Sequence, residues 1–251
     1  TDDAVNAGYG FQIDLNTSFT GEDSFDVSLD AGNASVAGIS ELDLNSASET
    51  LTVDGISYTF PVGGATVLVG DTVDGSSLFT TACAYGGPSN TLDDCGNVNA
   101  AFVGSGTTFA ASYDFDNGFT TAFGYAGAGD STAGLMTQEG ADSYGGNVAY
   151  TADSYGLSFT YGSVEDGVDS TDDQHNQGTD YAYALNAYYI PENEGLPSIS
   201  LGYEYGEDDS EVAASDEYTN VFAGLQWDDF GPGTLGLAMG TRVNTVEDTD
   251  A

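Results

Sequence analysis

Short runs in which apolar and small polar residues alternate with period two constrain this chain more than any other feature. Thr107, Phe109, Ala111, Tyr113 and Phe115 alternate with small or polar residues; Asp116-Asn117-Gly118 then turns the chain into Phe119, Thr121, Phe123 and Tyr125. After a long polar stretch, Tyr144, Gly146, Val148 and Tyr150 alternate, Ala152-Asp153-Ser154 turns, and Tyr155, Leu157, Phe159 and Tyr161 alternate again. Such alternation marks strands with one apolar and one polar face. Twelve runs are expected: 8–18, 24–32, 51–60, 65–71, 106–115, 119–126, 144–151, 155–164, 180–190, 198–206, 218–227 and 234–242.

The connections alternate as regularly as the residues. Those after odd-numbered runs are short: Thr20–Asp23, Pro61–Gly64, Asp116–Gly118, Ala152–Ser154, Pro191–Pro197 and Asp228–Gly233. Those after even-numbered runs are long: 33–50, 72–105, 127–143, 165–179 and 207–217. A β-sandwich accounts for the alternation but not for this asymmetry, which belongs to antiparallel transmembrane β-barrels with short turns at one rim and long loops at the other. Most runs also have the length of a tilted bilayer-spanning strand, about 9–11 residues. Residues 1–251 are read as a single β-barrel domain. Both ends fall on the long-loop side, so further strands are expected before Thr1 and after Ala251, in a complete barrel of about 14 or more. Thr1-Asp2-Asp3 opens without a signal peptide and reads as processed or excised. Aromatic residues at run ends (Tyr9, Tyr58, Phe60, Phe115, Phe119, Tyr125, Tyr155, Tyr189, Tyr203, Tyr205, Trp227) fit interfacial girdles.

Charge narrows the partners. Forty-one Asp and Glu stand against one basic residue, Arg242, for a formal charge of −40. Nucleic acid is excluded as a partner, because phosphate binding depends on Lys and Arg, and cations are favoured. The content of 16 Tyr and 13 Phe argues against a disordered acidic chain. On the polar faces stand Gln12, Asp14, Asn16, Asp26, Asp30, Asp114, Asn186, Glu204 and Arg242, the candidate pore-lining residues. An acidic lumen would concentrate cations and exclude anions. By analogy with general porins, in which one long loop folds inward and narrows the pore, the longest connection, 72–105, is the candidate constriction loop, with Asp93 and Asp94 as its acidic residues. Cys83 and Cys95, the only cysteines, flank a turn-rich stretch and are expected to form a disulfide.

Catalytic constellations are lacking. His175, the single histidine, lies in an acidic loop, and no G-x-S-x-G nucleophile elbow occurs. No cofactor and no enzymatic activity are expected. Asp166, Asp169, Asp172, Asp173, Glu207, Asp208, Asp209 and Glu211 are either solvated loop charge or weak sites for Ca²⁺ or Mg²⁺, which prefer carboxylate oxygens.

Several segments resemble the cyanobacterial outer-membrane porins, a family related to carbohydrate-selective porins. Leu15-Asn16-Thr17-Ser18-Phe19-Thr20-Gly21-Glu22-Asp23, continuing to Asp30-Ala31-Gly32-Asn33, is similar to an early hairpin of that family, and Tyr58-Thr59-Phe60-Pro61-Val62-Gly63 to the next. Tyr188-Tyr189-Ile190-Pro191-Glu192-Asn193-Glu194-Gly195-Leu196-Pro197 and Gly224-Leu225-Gln226-Trp227-Asp228 resemble marine picocyanobacterial members. The resemblance implies a homotrimeric barrel in the outer membrane that passes ions and small hydrophilic solutes. Two features depart from the family: no surface-layer-homology domain is present, and Lys and Arg are nearly absent. The expected function is therefore a passive, cation-leaning channel. The rival is an acidic extracellular structural or adhesive β-protein that assembles through its sheet edges.

Overall fold

The computed structural model describes residues 9–32, 50–86, 92, 94–101, 103–127, 129, 134–137, 141–165, 179–193, 195–207 and 217–241. Twelve antiparallel strands form one sheet in sequence order. They are β1 (Gly10–Thr17), β2 (Ser24–Gly32), β3 (Thr52–Val62), β4 (Ala65–Asp74), β5 (Ser105–Asp114), β6 (Phe119–Gly127), β7 (Asp142–Thr151), β8 (Tyr155–Glu165), β9 (Thr179–Tyr189), β10 (Ser198–Glu207), β11 (Glu217–Phe230) and β12 (Gly233–Gly240). All twelve expected strands are present. The order is linear, and among the described residues β12 does not pair with β1.

The two faces differ as the alternation requires. Along β8 the odd positions Tyr155, Leu157 and Phe159 are exposed, whereas Gly156, Ser158 and Thr160 are buried. Large hydrophobic side chains therefore lie on the outside and small or polar ones on the inside, the inverse of a soluble protein. Phase is kept by register: Leu157 pairs with Ala187, and Leu201 with both Ala187 and Ala223. A bulge at Asp54, between the pairs Ser28–Gly55 and Leu29–Val53, shifts the phase, so the apolar face of β3 runs through Val53 and then Ile56, Tyr58 and Phe60. Such a bulge inserts one unpaired residue and reverses the facing of the residues beyond it. A second lies between Gly70 and Val73, where Thr72 takes φ 56°.

Rings gather at both ends of the apolar face. Near the short turns Tyr58 meets Phe60 (5.1 Å between centroids), Tyr113 meets Phe115 (4.9 Å) and Phe119 meets Tyr150 (4.8 Å). Near the long loops Tyr161 packs on Tyr183 (5.1 Å), which packs on Tyr181 (5.5 Å). Val148, Leu157, Leu185 and Leu201 lie between the two bands, about half exposed. Tyr189 and Tyr181 bracket β9; eight residues at about 3.4 Å each, tilted about 40°, span roughly 20 Å of barrel height.

Turn chemistry holds the short connections. Gly118, at φ 88°, closes the β5–β6 turn where a Cβ would lie 2.7 Å from the Thr151 carbonyl oxygen. In the β1–β2 turn one oxygen of Asp23 accepts hydrogen bonds from Ser18 Oγ (2.6 Å), the amides of Phe19 (3.0 Å) and Thr20 (2.8 Å), and Thr20 Oγ1 (2.8 Å). Its other oxygen accepts from Tyr58 Oη (2.6 Å) on β3. The hydrogen bonds from Ser18, Tyr58 and Thr20 hold the Asp23 carboxyl well below the usual carboxylate range.

Candidate functional site

The connection after β4 does not extend away from the sheet. Its described residues fold onto the polar face and cross it from β6 to β11. Its neck is closed by Asp74, whose Oδ1 accepts from the Ser76 amide (2.7 Å), Ser76 Oγ (2.9 Å) and the Val103 amide (3.1 Å), while the Gly75 amide bonds the Gly104 carbonyl at 3.2 Å.

An outgoing leg, residues 80–86, crosses β7 to β11. A buried backbone that joins no sheet needs acceptors for its amides, and the wall supplies one on strand after strand. The Thr80 amide donates to Asn147 Oδ1 on β7 (2.9 Å) and the Ala82 amide to Ser158 Oγ on β8 (2.8 Å). Those of Ala84 and Tyr85 donate to Ser200 Oγ on β10 (2.9 and 3.1 Å), and that of Gly86 to Gln226 Oε1 on β11 (2.7 Å). The amides of 80, 82, 84 and 86 follow the period-two alternation of an extended chain, and that of Tyr85 shares the Ser200 hydroxyl with its neighbour.

The returning leg, 94–101, is held more tightly. Asn186 Nδ2 on β9 donates to the Cys95 carbonyl (2.8 Å), and Asn97 Nδ2 reaches Thr160 Oγ1 on β8 (3.2 Å). Glu204 on β10 accepts four donors: the Asn99 amide (2.8 Å), Asn99 Nδ2 (2.9 Å), the Ala100 amide (2.9 Å) and Asn220 Nδ2 on β11 (2.9 Å). The expected Cys83–Cys95 disulfide joins the two legs, with Cα atoms 6.3 Å apart.

Glycines in the wall make the seat. A Cβ on Gly124 would lie 1.8 Å from the Gly75 carbonyl oxygen, on Gly162 2.8 Å from that of Ala100, and on Gly202 1.7 Å from that of Cys95. Glycine in a strand interior is intrinsically unfavourable; here it lets a second backbone lie directly on the sheet. Ala100 packs against Ala182 and Ala184, and the Tyr85 ring meets Phe222 edge-on at 5.5 Å. Core formation thus occurs between segment and wall, from small side chains.

The candidate pore-lining residues separate into two groups. Gln12, Asp14 and Asn16 are exposed on β1. Ser28 Oγ donates to Asp14 (2.7 Å), and Asn16 Nδ2 donates to Ser24 Oγ (2.7 Å) and to Asp26. Asp30 lies on the same face but is buried. Asp114 is exposed at the end of β5 and accepts from the Asp116 amide (2.8 Å), serving the turn. Asn186 and Glu204 require correction: they occupy the polar face, yet both are fully buried because the segment lies over them, so they do not face a water-filled lumen. Asp94 is half-buried and accepts from the Gly96 amide (2.9 Å). Glu207 accepts from Tyr205 Oη (3.0 Å). Asp93, Asp166, Asp169, Asp172, Asp173, Asp208, Asp209, Glu211 and Arg242 lie outside the described residues. Among the described residues no group of three His, Cys, Asp or Glu side chains is placed to hold a metal ion.

Asn147, Ser158, Thr160, Ser200, Asn220 and Gln226 are functional residues that sequence reasoning misses. Their signal is present in the alternation, since Ser158 and Thr160 interrupt Leu157, Phe159 and Tyr161. The segment they face leaves no such local signal.

Neither a family model nor a curated protein sequence matches the chain. Solved structures do. OprB of Pseudomonas putida superposes with a TM-score of 0.60 at 12% identity, over 95% of this chain and 70% of OprB. A loop-deletion mutant of OmpT, an outer membrane protein of Vibrio cholerae, aligns with a TM-score of 0.43 at 13% identity, over 92% of this chain and 85% of that one. With its twelve-stranded antiparallel meander and its likeness to OprB, the chain has the fold of the outer-membrane β-barrels.

Proposed function

We propose that the protein is a porin-like channel of the outer membrane, a passive water-filled path for ions and small hydrophilic solutes that favours cations. The observation that carries this reading is the inward segment 75–104, seated on the polar face of a sheet whose other face is apolar and uncovered. Soluble proteins rarely expose apolar patches beyond a few hundred Å², whereas lipid covers such a face in a barrel. A segment built across the inner wall is what a narrowed passage requires, and a structural or adhesive protein has no need of one.

Gln12, Asp14, Asn16, Asp26 and Asp114 lie outside the span crossed by the segment, and we assign them to the side along which solutes pass; Asp30, on the same face but buried, is not counted in that lining. We assign Asp93 and Asp94 to the narrowing segment and Arg242 to the pore lining. With a formal charge of −40 and a single basic residue, the channel attracts cations. The segments similar to cyanobacterial outer-membrane porins support that type of channel and a homotrimer, with weak Ca²⁺ or Mg²⁺ binding in the acidic loops.

Single-channel recording in a planar bilayer under a KCl gradient tests the proposal. Discrete steps with a cation-selective reversal potential are expected. Folded protein that gives no steps overturns the channel, and steps without selectivity overturn its cation preference.

A further inference from the structure

Glu204 is buried where a barrel interior is usually wet, and the channel reading leaves it without a role. It is 0% exposed. Its four donors come from two different elements: three from the returning leg, through Asn99 and Ala100, and one from Asn220 on β11. A carboxylate only accepts hydrogen bonds, and every group that meets it here donates. No described residue is Lys, Arg or His. Its partners in register are Ala184 on β9 and Asn220 on β11, and Ala100 covers it from the segment. Its carboxyl is thus held by hydrogen bonds from the segment and from the neighbouring strand.

We propose that Glu204 is the positioning residue of the narrowing segment. Positioning follows from geometry. Two consecutive amides, Asn99 and Ala100, converge on one oxygen while Asn99 Nδ2 takes the other, which sets the height and orientation of the returning leg.

The inference rests on the channel reading, and recordings in a KCl gradient separate the two. Wild-type protein, Glu204→Gln, Glu204→Asp and the surface control Asp153→Asn are compared. Glutamine keeps the size and sets an NH₂ group among donors. Aspartate keeps the carboxyl but draws it back from the segment. Glu204→Gln is expected to give larger and noisier steps. Glu204→Asp is expected to give noisier steps, and Asp153→Asn to match wild type. Glu204→Gln and Glu204→Asp channels that both match wild type in step size and noise overturn the inference and leave the channel standing. Wild-type protein without steps overturns both. Where Glu204→Gln fails to fold, faster amide hydrogen exchange at Asn99 and Ala100 in Glu204→Asp supports the positioning role, and unchanged exchange overturns it.

Discussion

Asn99 binds both oxygens of the Glu204 carboxylate, through its backbone amide at 2.8 Å and its side-chain Nδ2 at 2.9 Å. The two residues are separated by 105 positions, and between them the chain forms β5 to β9 and most of β10. The contact therefore joins the segment to a part of the wall distant in the chain. Net hydrogen bonds contribute about 1 kcal/mol each, more when charged. Removing the acceptor would leave buried amides unpaired, which outweighs the bonds themselves.

The glycine seat predicts an asymmetric response to small substitutions. Gly202→Ala places a Cβ against the Cys95 carbonyl oxygen, whereas Gly233→Ala meets nothing within 4 Å. Gly202→Ala is expected to destabilise by about 1–3 kcal/mol, as overpacking does, and Gly233→Ala by no more than about 0.5 kcal/mol. Denaturant unfolding of detergent-solubilised protein measures both, and equal midpoints would show that the segment does not lie on the wall.

Reduction should loosen the segment without dismantling the sheet. The disulfide closes a loop of sequence separation 12, a constraint of about 3 kcal/mol in the chain-entropy account. Cys83→Ser/Cys95→Ser is expected to unfold at lower temperature and to be cut by protease within 75–104 while the strands stay protected. Wild type with reductant should match it, and a reductant effect in the double variant would locate the change elsewhere.

Acid should weaken the first hairpin through Asp23. Its folded value is depressed, so the stabilisation is fully present above the unfolded carboxylate value near about pH 3.9. It is lost as pH falls below that value towards the depressed folded one. Asp23→Asn is therefore expected to lower the unfolding midpoint at pH 7 and to lose most of that difference near pH 2. A difference that stays constant with pH refutes the linkage.

Charge on the outer face should block insertion. Leu185 lies between the aromatic bands and is half exposed. Leu185→Arg is expected to destabilise the membrane-inserted state by about 2–4 kcal/mol, the range for a cation near the bilayer midplane. Asp153→Arg, in an exposed turn, should fold into lipid vesicles as wild type does. Equal folding yields for both would argue that this face does not meet lipid.

Strand positions were legible because alternation is a local property: β2, which the pattern places at 24–32, is Ser24–Gly32. Boundaries moved where bulges or turns intervened. β4 runs on to Asp74 rather than ending at Asp71, because the bulge around Thr72 lets pairing with β5 resume at Val73. The inward orientation of Asn186 and Glu204 was legible for the same reason, but not their burial, which depends on a segment distant in the chain.

By itself the sequence determined the twelve strands, the alternation of faces within each regular stretch and the excess of negative charge, because period-two alternation and composition need no long-range contact to be read. Only the tertiary structure decided that the 75–104 segment turns inward, that Gly124, Gly162 and Gly202 form its seat, and that Glu204 anchors it rather than meeting water. Those outcomes depend on backbone from distant strands arriving within hydrogen-bonding distance of one segment, a geometry that the assembled sheet creates and no local pattern encodes.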